Sequence, residues 1–446
     1  MTDSRLAAVV LAAGLGTRMR SETPKHLHPL LGRRLADWVV EAVRELGPQP
    51  LVVVTSADAR DAFEGEGLET AVQEEPRGTG DAAAAARTSL EGFDGDVLVV
   101  TGDAATITSE LLGRMLRTHR DAGAAATVLS FELPNPEAYG RIVRDGDGAL
   151  QAIVEARDAS EDELAIREVN SSIYVFEGQK LWPALEGLKP DNVQGELYLT
   201  DTVRHLAAAG ERVAVHKAEN PAECEGVNTR AELAAAAAVL RDRINQAHML
   251  AGVTIVDPVS TWIDPTVQLA SDSTIQPFTI LRGATSVAKG AEVGPHAVAV
   301  DAAIGPGALV GPFCYLRPGT ILEDSAKAGA FVEIKNSRLG AGVKASHQSY
   351  IGDADIGEGT NIGAGNITAN FSHRAGQPKG RTTIGRNVRT GVHNAFVAPV
   401  EIGDDAWIGA GSVISTDVPP GSLAIARARQ VTKEGYVDEQ RKRASD

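Results

Sequence analysis

The sequence contains little cysteine and no long apolar run. Cys224 and Cys314 are its only cysteines among 446 residues, which excludes both a disulfide framework and a site of four zinc-binding cysteines. Two free thiols suit a reducing compartment, so we expect both to be buried structural residues of a cytoplasmic protein. No apolar run approaches the roughly 18 residues that a membrane helix requires, and we expect no membrane insertion.

The N-terminal apolar stretch is short. Arg5 precedes residues 6–13, and this order imitates a signal peptide. However, Asp3 stands in front of the stretch and a Gly-rich turn follows it directly, as in a buried strand that leads into a βα turn. We therefore predict a strand here.

Basic residues are outnumbered by acidic ones. The chain has 43 Lys and Arg against 59 Asp and Glu, a net charge of −16. Because binding to nucleic acid or anionic lipid depends on clustered basic residues, we expect neither partner. Small anionic substrates need only local positive groups and stay possible. The length predicts two or three domains, at about 100 to 200 residues each.

Residues 1–228 have the pattern of a wound α/β sheet. Short β-branched runs alternate with Ala-rich helical segments; the runs are 51–55, 97–101 and 126–130, and the segments are 35–46 and 81–90. Residues 229–249 contain neither Gly nor Pro and are rich in Ala, Leu, Glu and Arg, which predicts a linker helix.

Residues 250–446 follow a different pattern, in which an aliphatic residue recurs every sixth position. The expected inward positions are Ile263, Leu269, Ile275, Leu281, Val287, Val293, Val298, Ile304, Val310, Leu316, Leu322, Leu339, Ala345, Ile351, Ile356, Ile362, Ile384, Thr390, Phe396, Ile402, Ile408 and Ile414. This period predicts a parallel β-helix of hexapeptide repeats, with Gly after many aliphatics to permit the corners. The polar stretch 370–381 interrupts the period and predicts a functional loop at one corner.

A first candidate site follows the N-terminal strand. The segment LAAGLGTRM, Leu11 to Met19, is a Gly-rich turn whose backbone N–H groups can cradle phosphate, although many βα turns need Gly for geometry alone. Arg18 and Lys25 lie close by and can neutralise a triphosphate; the alternative is that both are surface charges.

Polar residues stand at the ends of later elements. They are Asp103, Glu155, Asn170 and Asn228. The carboxyl ends of parallel strands line the ligand crevice of an open sheet, so Asp103 and Asn228 could hold Mg²⁺. The alternative for Asp103 is a helix cap.

The motifs together indicate a family. LAAGLGTRM, PKHLHPL, VQEEPRGTGDA, TGD, YGRIV, IVEARDA, QGELYLTD and EGVN, in this order, resemble a sugar-1-phosphate uridylyltransferase domain. With LRPGT, FVEIKNS, SHQSYIGDADIG, NIGAGN and TKEGY in the hexapeptide region, residues 5–437 resemble the bifunctional N-acetylglucosamine-1-phosphate uridyltransferase / glucosamine-1-phosphate acetyltransferase family.

The resemblance implies roles for the N-terminal residues. Arg18 and Lys25 would be catalytic cations on the UTP phosphates, and Asp103 with Asn228 would bind Mg²⁺. The UTP and sugar-nucleotide site would comprise Leu11, Ala12, Ala13, Gly14, Lys25, Gln73, Gly78, Thr79, Gly140, Glu155, Asn170 and Asn228. Within this set, Gln73, Gly78 and Thr79 would read the uracil. Gly140, Glu155 and Asn170 would hold the amino sugar.

The resemblance also implies a left-handed, trimeric β-helix that transfers an acetyl group from acetyl-CoA to glucosamine 1-phosphate. His347 would be the general base, since imidazole has an ordinary pKa of about 6.5. Arg317, Lys335, Tyr350 and Asn361 would bind the sugar phosphate, and Ala364, Asn370, Phe371, Val392, Ala410 and Arg427 the acetyl-CoA. The product would feed cell-wall or surface polysaccharide synthesis.

Some positions depart from the family pattern. Ala104 follows Asp103, Ser172 follows Asn170 by two residues, and Phe371 and Val392 replace polar residues near the coenzyme. Two alternatives therefore stay open. One is a nucleotidyltransferase that makes ADP-glucose or a dTDP-sugar; the other is a β-helix that only trimerises the chain.

Overall fold

The fold is described by a computed structural model covering residues 5–14, 16–65, 67–372 and 376–445. Its contacts divide the chain into two compact units, Met1–Leu240 and Arg241–Asp446. The division falls inside a helix, Arg230–Leu250, where the sequence predicts a linker helix. The boundaries at residues 228 and 249 stay predictions.

The first unit is built on a mixed sheet. Its strands, with one separate two-stranded ribbon formed by β2 and β3, are β1 Leu6–Ala12, β2 Pro29–Leu30, β3 Arg33–Arg34, β4 Leu51–Ser56, β5 Glu69–Gln73, β6 Asp96–Thr101, β7 Ala126–Glu132, β8 Arg141–Arg144, β9 Leu150–Val154, β10 Glu168–Glu177 and β11 Val213–Lys217. The sheet order is β11-β7-β10-β6-β1-β4-β5, with β8 and β9 extending from β10.

The described residues form α-helices in both units. The α-helices are α1 Leu35–Arg44, α2 Thr79–Ala85, α3 Ser109–Ala122, α4 Glu161–Leu164, α5 Gly178–Glu186, α6 Thr200–Ala208, α7 Arg230–Leu250 and α8 Tyr436–Arg443. Short 3-10 turns occur at Thr17–Met19, Lys25–Leu27, Ala57–Phe63, Thr88–Leu90 and Pro221–Glu223. None of the helices in the described ranges combines the length and hydropathy needed to span a bilayer.

Strand β1 shows why the centre of this sheet reads as a continuous apolar run. Ala7 and Val9 pack into the core on one face, and Ala8 and Val10 pack into the core on the other. A strand covered on both faces needs apolar residues at every position. The predicted buried strand at the N-terminus is therefore confirmed over its described residues.

The α/β class predicted for this unit is confirmed, but the sheet is not fully parallel. β10 runs antiparallel to both β6 and β7, and β8 pairs antiparallel with β9. β8 also pairs antiparallel with β10, whereas β1 is parallel to β4 and β6, β4 to β5, and β7 to β11. Apolar patterning marks a strand as buried but leaves its direction open, since either direction buries the same side chains.

The second unit consists of three long sheets of very short parallel strands, an arrangement consistent with a left-handed β-helix. Sheet 1 contains Thr254–Ile255, Thr274–Ile275, Glu292–Val293, Leu309–Val310, Lys327–Ala330, Lys344–His347, Asn361–Ile362, Arg389–Thr390, Trp407–Ile408 and Leu423–Ala424. Sheet 2 contains Trp262–Ile263, Ile280–Arg282, Val298–Val300, Tyr315–Leu316, Glu333–Lys335, Tyr350–Gly352, Ile367–Ala369, Ala395–Val397 and Val413–Ile414. Sheet 3 contains Gln268–Leu269, Ser286–Val287, Ala303–Ile304, Ile321–Leu322, Arg338–Leu339, Ala354–Ile356, Thr382–Ile384 and Val400–Ile402.

The predicted inward ladder is confirmed with one correction. Nearly all of the expected positions are buried in one continuous core, but Val298 is not the inward residue of its strand. Ala299 is fully buried there and pairs with Leu281 and Leu316. The ladder does contain one five-residue step here, but that step runs from Ala299 to Ile304 and not from Val293 to Val298, so the expected position is one residue too early.

The glycines that follow the aliphatics act differently from the expectation. A Cβ on Gly305 would lie 2.6 Å from the carbonyl oxygen of Leu322, and one on Gly363 would lie 2.4 Å from that of Gly391. The glycine is needed because successive coils approach closely at these points. A positive φ occurs at other positions, including Phe278 and Phe313, and among the glycines that follow an inward aliphatic it occurs at Gly294 and Gly311.

The interruption at 370–381 connects sheet 2 to sheet 3. Strand Ile367–Ala369 ends before it, strand Thr382–Ile384 follows it, and its described residues contain no helix or strand. Residues 373–375 of this predicted loop lie outside the described residues. Both cysteines are buried and unpaired, as predicted.

Candidate active sites

A cleft of about 540 Å³ opens at the carboxyl ends of β1 and β6. Because these parallel strands end at the same edge, the residues that follow them meet there. The predicted residues that line it are Leu11, Ala13, Gly14, Arg18, Lys25, Gln73, Gly78, Thr79, Asp103, Gly140, Glu155, Asn170 and Asn228. Ala12 is buried instead and is not part of the lining.

Cations and oxygen atoms converge at one end of the cleft. The Lys25 ammonium contacts the Asp103 carboxylate and lies 3.1 Å from Oδ1 of Asn228. Nη2 of Arg18 donates to the same Asn228 oxygen at 2.9 Å, and Oγ1 of Thr101 donates to Oδ1 of Asp103 at 2.7 Å. The structure therefore brings together four predicted residues that are up to 210 positions apart.

The Lys25 ammonium also stabilises the ionised form of the Asp103 carboxyl group. Burial alone would raise the pKa of this carboxyl, but attraction to Lys25 and hydrogen bonds from Lys25 and Thr101 outweigh it, so the pKa is lowered. The group is a carboxylate at neutral pH. His26, which the sequence analysis missed, also lines the cleft; burial and the Lys25 charge lower its pKa to about 4.

The predicted metal ligands fit a divalent cation that is bound together with phosphates. Asp103 and Asn228 present oxygen atoms to a single cationic group, the Lys25 ammonium. Mg²⁺ requires oxygen ligands and commonly takes only one or two from protein, with phosphate and water supplying the rest. Within the described ranges, no group of three or more His, Cys, Asp or Glu side chains could hold a metal ion.

The predicted base-reading residues form another part of the lining. Nε2 of Gln73 donates to the carbonyl of Gly78 at 3.1 Å, and Oγ1 of Thr79 accepts from the backbone N–H of Leu199 at 3.0 Å. Gly78 has a φ of 115°, and a Cβ there would lie 2.6 Å from the carbonyl oxygen of Leu197. This position therefore requires glycine, both for its backbone conformation and for the close approach.

The predicted sugar-binding residues also lie together. Gly140 lies beside Glu155, since a Cβ on Gly140 would lie 3.4 Å from both Glu155 carboxylate oxygens. Oγ1 of Thr200 lies 3.3 Å from Oε1 of Glu155, and Nδ2 of Asn170 donates to the Tyr174 hydroxyl at 2.7 Å. Burial raises the pKa of Glu155. Thr200 and Tyr174 were not predicted, although Thr200 lies within the QGELYLTD motif.

In the second unit, several predicted residues follow one corner between sheets 1 and 2. Ala330 pairs with His347, the carbonyl of Ala364 accepts from the N–H of His393 at 2.7 Å, and that of Val392 accepts from the N–H of Gly411 at 2.8 Å. His347, Ala364, Val392 and Ala410 therefore occupy equivalent corner positions in successive coils. The His347 side chain is exposed on this corner.

A second group lies on the outer side of sheet 2. The N–H of Arg317 bonds to the carbonyl of Ile334, which places Arg317 beside Lys335 in the next coil. Nη1 of Arg317 donates to Oε1 of Glu333 at 2.8 Å, and Glu333 pairs with Tyr350 in the following strand. The predicted sugar-phosphate residues Arg317, Lys335 and Tyr350 thus share one face.

The interrupting loop adds a cation that sequence analysis missed. The amine of Lys379 contacts that of Lys335, and this contact, followed by charge repulsion, lowers the pKa of Lys335. Asp353 lies close to both amines and accepts hydrogen bonds from Asn336 and Asn370. The sequence feature that could have identified Lys379 is its position in a polar loop that interrupts the repeat.

Not all of the predicted acetyl-transfer residues meet within one chain. Asn361 lies on the outer side of sheet 1, beside Lys344, and therefore on a different face from Lys335. Nδ2 of Asn370 lies 3.5 Å from the Tyr350 hydroxyl and joins the sheet 2 group instead. Phe371 and Arg427 are exposed, and Arg427 lies next to Gly411 at the His347 corner.

The fold and the first cleft define a nucleotidyltransferase unit joined to a parallel β-helix. Residues 8–191 match the family model of the MobA-like NTP transferase domain. "Bifunctional protein GlmU" of Streptomyces avermitilis is 48% identical, with 98% of this chain and 94% of the relative covered. The proteins of the same name from Corynebacterium efficiens (45% identical; 99% and 95% covered) and Mycobacterium ulcerans (43%; 98% and 93%) are also similar.

The chain belongs to the GlmU family of bifunctional proteins. The resemblance drawn from the motifs is therefore confirmed, and the chain is a transferase that acts on small molecules. The roles of its individual site residues stay predictions.

Proposed function

We propose that this chain makes UDP-N-acetylglucosamine in two steps at two separate sites. The second unit acetylates glucosamine 1-phosphate with acetyl-CoA, and the first couples the product to UTP with release of pyrophosphate. The observation that carries this proposal is the convergence of Lys25, Arg18, Asp103 and Asn228 at the strand ends of a nucleotidyltransferase sheet. The free buried cysteines favour the cytoplasm as its location.

In the uridylyl step, the sugar phosphate attacks the α-phosphorus of UTP in line with the leaving pyrophosphate. Lys25 and Arg18 would exchange their contacts with Asp103 and Asn228 for phosphate oxygens. Mg²⁺, held by Asp103 and Asn228, would supply further charge to the phosphates. Since phosphoryl transfer needs little covalent help from protein, positioning and charge stabilisation would provide most of the catalysis.

In the acetyl step, the sugar amine must lose a proton as it attacks the thioester carbonyl. His347 is exposed at its corner and can accept that proton. Carbon–nitrogen bond formation then expels the coenzyme thiolate. Arg317, Lys335 and Lys379 form a cationic group on the neighbouring face, which suits the phosphate of the sugar.

Lys379→Ala tests this assignment of the sugar phosphate. We expect the KM for glucosamine 1-phosphate to rise about tenfold with little change in kcat, because a charge-assisted contact to phosphate is lost. The matched control is Lys289→Ala, which removes an exposed lysine paired with Asp272. Steady-state kinetics at fixed acetyl-CoA measure the effect. A rise confined to the KM for acetyl-CoA would contradict the assignment.

We also propose that the active form is a homotrimer in which neighbouring chains complete the acetyl site. The support is that Asn361 and Lys335 lie on different faces of one chain. A further support is a ladder of stacked, exposed rings on the His347 corner, formed by Phe278, His296, Phe313 and Phe331. Sedimentation equilibrium measures the oligomeric state, and the expected result is the mass of a trimer.

A substrate panel tests the whole proposal. UTP, dTTP and ATP are each offered with N-acetylglucosamine 1-phosphate and glucose 1-phosphate, and pyrophosphate release is measured. Thiol release from acetyl-CoA is then followed with glucosamine 1-phosphate. Preference for UTP with the N-acetylated sugar, together with thiol release, is the expected result. Preference for ATP or dTTP without thiol release would instead establish the alternative nucleotidyltransferase with a non-catalytic β-helix.

A further inference from the structure

The side-chain amide of Gln73 is held in one orientation. Its Nε2 donates to the carbonyl of Gly78 at 3.1 Å and to Oδ2 of Asp81 at 2.9 Å. A carbonyl and an ion-paired carboxylate can only accept hydrogen bonds, so both must be met by the NH₂ group. The amide cannot be turned over without placing its oxygen against two other acceptors.

This arrangement leaves Oε1 as the free polar atom of Gln73. The residue is 9% exposed and lines the cleft, and Oε1 has no hydrogen-bond partner among the described residues. Gln73 therefore offers the cleft a hydrogen-bond acceptor and no donor.

Asp81 is itself fixed in place. It lies in the first turn of α2, where the N–H of Ala82 bonds to the carbonyl of Gly78 and that of Gly80 to the carbonyl of Leu197. Nη2 of Arg77 donates to Oδ1 of Asp81 at 2.7 Å. The Asp81 side chain is 13% exposed and that of Arg77 is 64% exposed. The two carboxylate oxygens thus have separate partners, one toward solvent and one toward Gln73.

We infer that Asp81 is a positioning residue that makes Gln73 present an acceptor to the nucleotide base, and so selects bases with an imide N–H. This inference rests on the proposed function, which places the base of UTP beside Gln73. Uracil and thymine carry a hydrogen on N3, which can donate to Oε1. Cytosine has a bare lone pair at N3, so two acceptors would face each other and neither would be satisfied.

Without Asp81, one of the two acceptors that hold the Gln73 amide is lost, and turning the amide over then sacrifices only the hydrogen bond to the Gly78 carbonyl. The NH₂ group of the amide would then reach the N3 lone pair of cytosine, while Oε1 would move toward the position that the carboxylate had occupied. The expected consequence is a loss of discrimination between UTP and CTP, with no effect on the sugar end of the cleft.

The test measures kcat/KM for UTP and for CTP with N-acetylglucosamine 1-phosphate. We expect the wild-type enzyme to prefer UTP, and Asp81→Ala to lower the UTP:CTP ratio by about tenfold or more, the effect of one buried hydrogen bond. The KM for the sugar phosphate should not change. Asp81→Asn preserves the shape of the helix turn and can meet either orientation of the Gln73 amide, so its ratio should lie between those of the wild type and Asp81→Ala.

Two further variants separate positioning from a general structural role. Arg77→Ala removes the exposed partner of Asp81 but leaves the bond to Gln73, and it should retain the wild-type ratio. In a Gln73→Ala background, Asp81→Ala should have no further effect on the ratio, because Asp81 acts through that amide.

The outcomes are distinguishable. An unchanged ratio in Asp81→Ala and Asp81→Asn, an equal loss with both nucleotides, or an effect that persists in the Gln73→Ala background would each overturn the inference while leaving the proposed function intact. A wild-type enzyme that used neither UTP nor CTP would overturn both.

Discussion

His347→Ala should remove nearly all acetyl transfer and leave uridylyl transfer at its wild-type rate. The amine of glucosamine 1-phosphate must give up a proton to attack the thioester, and general-base catalysis contributes about 10²- to 10⁴-fold. His347 is exposed at the corner that continues through Ala364 and Val392. Its removal should cost little stability, because the side chain is exposed and the hydrogen bond from Ser349 goes to the backbone carbonyl. Thiol release and pyrophosphate release are measured on the same preparation.

Chemical rescue makes this result specific to proton transfer. Added imidazole should restore part of the acetyl transfer of His347→Ala, since a diffusible base can enter the space left by the side chain. A residue with a purely structural role would not show that rescue. Equal loss of both activities, or full acetyl transfer without His347, would contradict the assignment of a general base in an independent site.

The architecture of both units was predictable from the sequence, because each depends on a short-range pattern. Six-residue spacing of aliphatics is typical of stacked β-helix coils, and the inward ladder follows it. The error at Val298 shows the limit of counting. One side of the coil is a residue shorter, and Ala299, a small residue with no period signal of its own, takes the inward position. The antiparallel direction of β10 was not predictable either, because the pattern of apolar residues shows which strands are buried but not the direction in which each strand runs.

The nucleotide site was largely predictable because parallel strands end at a shared edge. This rule predicts that Asp103 lies near the Gly-rich turn, even though the paths of the connecting loops are unknown from the sequence. Lys379 and Asp81 were missed because their roles depend on which side chain they meet. Lys379 lies in an aperiodic loop whose path no local pattern defines, and Asp81 resembles any acidic residue in the first turn of a helix.

The acetyl site was only partly predictable. The motifs identify His347, Lys335 and Asn361, but the structure places Asn361 on a different face from Lys335. A linear motif gives the order of residues and not the face on which each one lies. Completion of this site by a neighbouring chain is therefore a separate proposal, which the oligomeric state will test.

Lys25→Ala should produce the reverse of the His347 result, with uridylyl transfer lost by about 10²- to 10³-fold or more and acetyl transfer retained. The loss of one charge donor from a preorganised anionic transition state has an effect of this size. Lys25 is also the direct partner of Asp103, and both side chains are buried. Its removal therefore leaves a buried carboxylate without its cation, which typically destabilises a protein by about 3–5 kcal/mol.

Asp103→Asn breaks the same pair from its acidic side and so tests the carboxylate apart from the Lys25 ammonium. It removes the negative charge instead of the positive one, keeps the shape of the side chain, and still abolishes the carboxylate that would bind Mg²⁺. We expect uridylyl transfer to fall by a similar factor, together with a weaker dependence on Mg²⁺ concentration. Lys189→Ala, an exposed lysine of the same unit, is the matched control and should leave both activities unchanged.

The pH dependence of stability gives an independent readout of the pair. The pKa of Asp103 is lowered in the folded protein, so its contribution to stability is present above the ordinary carboxyl pKa and is lost as the pH falls through the lowered value. Asp103→Asn should therefore reduce the slope of unfolding free energy against pH in the acidic range, measured by urea denaturation. An unchanged slope together with unchanged uridylyl transfer in both variants would show that this ion pair is neither the charge centre of the cleft nor part of its chemistry.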